Sequence, residues 1–156
     1  MNIDSLKSFL SDFNPANYLP DLSDTLGKVE LVLRIAVLIG PLLVLGLGLL
    51  YLLSPPKEAN YSFGFRTHRG MASVEAWQFT QRLAGMVWSV LGLVLTIVMA
   101  VLCNGFRGME ILDMLCRAMI CVLWELGLVL MSWLCVSVMV VIFFDRKGVR
   151  RRREDG

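Results

Sequence analysis

Three apolar runs free of charge, at residues 35–53, 83–104 and 126–144, alternate along this chain with polar segments. At about 1.5 Å per residue, each run covers roughly 28 Å or more as a helix, close to a hydrocarbon core of about 30 Å. Backbone amides in lipid must be satisfied within their own segment, so each run predicts a membrane-spanning helix. With their flanks, the helices are expected at about 29–53, 74–104 and 115–144. A shorter pattern precedes them: Ile3, Leu6, Phe9, Leu10 and Phe13 share one helical face, with polar residues elsewhere. It predicts a short amphipathic helix lying on the membrane or docked on the bundle, or else a partner-binding arm. Asn14-Pro15 and Pro20-Asp21 then break the chain. The expected fold is all-α: an integral membrane protein with three transmembrane helices and a short N-terminal amphipathic helix. Its parts are an arm (1–28), a helical domain (29–144, with a loop at 54–82) and a basic tail (145–156).

Composition agrees with this class. Of 156 residues, 56% are hydrophobic and only 18% charged, a balance that a soluble domain would not arrange into runs of bilayer length. Charge then sets an orientation. Ten Lys and Arg residues fall in the 54–82 loop (Lys57, Arg66, Arg69, Arg82) and in the tail (Arg146, Lys147, Arg150, Arg151, Arg152, Arg153). Five fall on the other side: Lys7, Lys28, Arg34, Arg107 and Arg117. The positive-inside rule places loop and C-terminus in the cytoplasm and the N-terminus outside. A basic tail beside a membrane helix is expected to hold anionic lipid, and direct nucleic-acid binding is not expected. The first run begins about thirty residues in, lacks a basic leader and ends at Ser54-Pro55-Pro56 without a small-x-small site, so no cleavable signal peptide is expected.

Reactive chemistry is sparse. Cys103, Cys116, Cys121 and Cys135 form no Cys-x-x-Cys pair and His68 is the single histidine, so neither metal nor cofactor is expected. Cys103 and Cys116 flank the short outer loop, where a disulfide and two apolar filler thiols both remain open. No nucleophile-base set and no phosphate-binding glycine loop is present, so an enzyme is not expected. In the second helix Gly85, Ser89, Gly92, Thr96 and Ala100 form a stripe of small residues suited to close helix packing. Val87, Val90, Leu91, Val94 and Val98 are expected to face lipid. Gly40-Pro41 predicts a kink in the first helix. Arg34 lies nineteen residues before Leu53, and Glu125 nineteen before Phe144, which puts both at one outer level. They are expected either to reach water separately or to pair across the first and third helices.

The loop carries the specific pattern. Pro55-Pro56 stops the first helix, Gly64 permits a turn, and Ser73 is suited to cap a helix starting at Val74. Trp77 and Phe79 are expected near the interfacial belt. Asn60, Arg66 and Thr67 offer hydrogen bonds, either to helix ends and headgroups or to a partner. The run Pro55-Pro56-Lys57, Asn60, Gly64-Phe65-Arg66-Thr67, Ser73, Trp77 and Arg82-Leu83-Ala84-Gly85 resembles the SdpI family of bacterial membrane proteins over roughly residues 40–105. Phe65 stands where that family has a tyrosine, and Gly70 where a serine is common. The resemblance implies immunity to a secreted peptide toxin met by the outer surface (residues 1–33 and 104–117). It also implies a cytoplasmic regulator held at the inner loop. The alternative is an accessory or scaffold subunit of a larger membrane complex, whereas a homo-oligomer or a lone protein fits the immunity reading.

Overall fold

The computed structural model describes residues 22–56 and 64–151, with side chains from residue 26 onward. The expected amphipathic helix at 1–13, loop residues Lys57 and Asn60, and the end of the tail lie outside the described residues. Three helices follow one another: α1 (Leu22–Leu53), α2 (Val74–Asn104) and α3 (Ile111–Phe143). All three are long and apolar enough to cross a membrane. α1 and α3 begin several residues ahead of the positions expected from the sequence, because bilayer length bounds the apolar run and not the helix. Asp113 in the first turn of α3 suits the positive end of the helix dipole and lets that helix continue outward.

α1 and α2 form the main interface, and α3 packs more lightly against both. The close approach has a local cause. A Cβ placed on Gly92 would collide with the backbone nitrogen of Leu45, and one on Gly48 would collide with that of Ser89. A Cβ on Gly85 would lie 3.0 Å from the Leu52 backbone nitrogen. Glycines on both helices thus let the two backbones touch, which replaces the hydrophobic drive that lipid removes. Ser89 and Thr96 are half-buried along this seam, and the Thr96 hydroxyl donates to the Gly92 carbonyl at 2.7 Å. Ala100, further along, is exposed. Val90, Val94 and Val98 face outward as expected, but Val87 and Leu91 do not. Both pack against the core, because α3 covers that flank of α2.

Buried side chains form two regions. At the hairpin end, Val37, Met99, Phe106 and Met114 meet. There Gly108 takes a φ of 75° and turns the chain between α2 and α3. At the opposite end Tyr51, Phe65, Ala84 and Val136 meet, with Ala76, Val140 and Phe144 beyond them. All four cysteines are free, Cys103 buried and Cys116 exposed, so the disulfide left open by their spacing does not form.

Candidate functional site

The polar loop is folded onto the helix ends by hydrogen bonds from both sides. Gln81, fully buried on α2, holds the loop at Phe65. The Phe65 N–H donates to Gln81 Oε1 and Gln81 Nε2 donates to the Phe65 carbonyl, each at 2.8 Å. One side-chain amide therefore satisfies both backbone groups of a buried residue, as a neighbouring strand would. Trp77, one turn earlier on the same face, donates from Nε1 to the Pro56 carbonyl at 2.8 Å. It is fully buried, because the loop folds over it. Gly64 turns the chain into this clamp with a φ of 125°, and a Cβ there would lie 2.6 Å from Trp77 Cη2.

Phe65 fills the space the clamp creates. Only 3% exposed, its ring meets Trp88 of α2 edge-on at 5.4 Å and Trp133 of α3 at 6.4 Å. Tyr51 of α1 stacks at a tilt on Trp88 at 5.9 Å, so one aromatic group joins all three helices to the loop. A phenylalanine suffices for this packing role.

The rest of the loop ties down α2 and α3. Thr67 accepts from the Gly70 N–H at 3.0 Å, and Gly70 is buried where a Cβ would lie 2.7 Å from Thr80 Oγ1. Arg69 reaches the end of α3, where Nη1 donates to the carbonyls of Val141 (3.0 Å) and Phe144 (3.1 Å). Those carbonyls are left without helical donors, and a cation suits them. Ser73 Oγ accepts from the Ala76 N–H at 3.1 Å and donates to the Gly148 carbonyl at 2.6 Å. It caps α2 and fastens the turn that follows α3 in one stroke. In that turn the Asp145 carboxylate accepts from the N–H groups of Val149 (2.8 Å) and Lys147 (2.9 Å). The hydrogen bond from Val149 leads in holding its pKa below the ordinary carboxylate range.

The motif residues therefore divide. Gly64, Phe65, Thr67, Ser73 and Trp77 are spent on holding the loop, with Pro55 and Pro56 half-buried beside them. Arg66, His68 and Arg82 point outward. Gln81 and Arg69 were not singled out from the sequence. Gln81 could have been found as the one amide on the α2 face that carries Trp77 and Gly85, four residues from each.

Arg34 and Glu125 do not pair with each other. Arg34 forms its ion pair with Glu30, one turn back on α1, at 2.5 Å, since a carboxylate four residues away on the same helix needs no movement of α3. Glu125 does not reach water either, being 6% exposed. It packs against Gly40 of α1, where a Cβ would lie 2.8 Å from its Oε2, and its Oε1 has no hydrogen-bond partner among the described residues.

Comparison with known proteins adds one finding. The model of the SdpI/YfhL protein family matches residues 57–144, whereas no curated protein and no solved structure matches the chain. The match extends through α3, beyond the segment that carries the motif, so the family pattern includes Trp133 and the helix end held by Arg69. Since it takes in more than half of the sequence, including the loop, the amide that clamps it and the helix that closes over it, this chain belongs to the SdpI/YfhL family of membrane proteins.

Proposed function

We propose that the protein confers immunity to a secreted antimicrobial peptide in a bacterial cell membrane and signals by holding a cytoplasmic regulator at its loop. Family membership carries this reading, because characterised SdpI-like proteins protect a cell that makes such a peptide. The distribution of charge supports the orientation, with N-terminus outside and loop and C-terminus inside. In this reading the hairpin end meets the peptide. The loop offers the regulator Arg66 and His68, which face outward and take no part in the hydrogen bonds that hold the loop. A regulator with an acidic surface fits them best. Expression in a strain sensitive to peptide toxins tests the reading: survival should rise with at least one toxin. Survival unchanged across every candidate peptide sinks it.

One observation favours a second reading, an accessory subunit of a larger membrane complex. α3 is lightly packed and presents Leu123, Trp124 and Met131, each more than 60% exposed, on its outer side. Lipid covers such a face, and so does a protein partner. Extraction in mild detergent followed by mass spectrometry separates the two, since a stoichiometric large partner supports the subunit.

A further inference from the structure

The first turns of α2 and the turn after α3 line a cleft of about 290 Å³ that the loop clamp does not use. Two arginines share it. Arg82 is the last charge on α2 before the apolar stretch, so it stands where hydrocarbon gives way to headgroups. Arg150 lies seven residues past the end of α3, yet an antiparallel bridge between Phe144 and Arg150 folds it back to the same level. Ser73, bonded to the Gly148 carbonyl, and Asp145, bonded within the turn, fix that return. Neither guanidinium has a hydrogen bond or ion pair among the described residues. Two unpaired guanidiniums on one cleft make a strong anion site, since each presents a planar fork of donors.

The other walls say which anion. Glu75 also lines the cleft, leaving one net positive charge, which matches a singly charged phosphodiester better than a phosphomonoester. Glu75 also supplies an acceptor for a headgroup hydroxyl. Phe79, Leu83 and Met86 continue the cleft along α2 in the direction of the apolar stretch. A free phosphate leaves that wall unused, whereas an acyl chain covers it. We propose that Arg82 and Arg150 form a binding site for the phosphodiester of an anionic glycerophospholipid, with its acyl chain along Leu83 and Met86.

Native mass spectrometry of the full chain in detergent, titrated with phosphatidylglycerol and with phosphatidylcholine of the same acyl chains, tests the site. The wild type should retain phosphatidylglycerol preferentially, and R82Q/R150Q should weaken that retention by on the order of tenfold. R146Q/K147Q removes as much charge from exposed positions outside the cleft and should keep the preference. Equal loss in both double variants means diffuse attraction and overturns the site, as does full retention in R82Q/R150Q. Displacement of the lipid by millimolar inorganic phosphate assigns the cleft to a free anion and overturns the lipid.

Discussion

Gln81 does more for the loop than any residue of the motif beside it. Replacing it with leucine leaves the Phe65 N–H and carbonyl buried without partners, at about 1–3 kcal/mol for each group. Gln81→Leu should therefore lower the thermal midpoint in detergent by several degrees, while Arg66→Ala, an exposed change, should leave it in place. Asp145 makes a prediction in pH. Its lowered pKa means that the turn gains full stability from the carboxylate above the ordinary value of 3.8 and loses it as pH falls through the lower folded value. Protection of the Lys147 and Val149 amides, taken relative to their intrinsic exchange rates, should fall only below about pH 4, and Asp145→Asn should remove that dependence. At this scale the sequence is partly legible. Ser73 as a cap and Gly64 as a turn follow from local chemistry, within three residues of their effect. Gln81 and Arg69 were not legible, because their partners are backbone groups 16 and 72 or more residues away, and backbone groups leave no mark in a sequence.

Among the elements, the helices were legible almost to the residue at α2 and less so at the outer ends of α1 and α3. Hydrophobicity records the membrane and says nothing of helix that continues into water. The glycine stripe gave the contact face of α2 but not its partner, Gly48 of α1, which lies in a helix with glycine on several sides. Gly92→Val should force α1 and α2 apart and cost about 1–3 kcal/mol, whereas Ala100→Val, on the exposed side, should cost little. Glu125 runs the other way. Spacing placed it at the level of Arg34, but a count along two helices fixes height and not rotation, and the carboxyl faces Gly40. A buried carboxyl oxygen without a partner is a cost that a methionine removes, so Glu125→Met should stabilise the bundle by about 1–3 kcal/mol. A lower midpoint would show that Glu125 has a structural partner after all.

Across the whole molecule, the three connections behave differently. The hairpin between α2 and α3 is a short turn, while the loop before α2 and the turn after α3 are bound to each other and to all three helices. One end of the bundle is thus a built surface, and its proposed side is the cytoplasm. Single cysteines at Glu110 and at Ala72, both exposed and at opposite ends, should show this in a cysteine-free background of intact cells. A maleimide that cannot cross the membrane should label the first and spare the second. The most direct test of the built surface is hydrogen exchange across residues 64–73 of the protein in lipid nanodiscs. The Phe65 and Gly70 amides should be protected nearly as well as the helices, and Gln81→Leu should release Phe65 first. Rapid exchange of Phe65 in the wild type, at the rate of an open loop, would contradict the clamp on which the site is built.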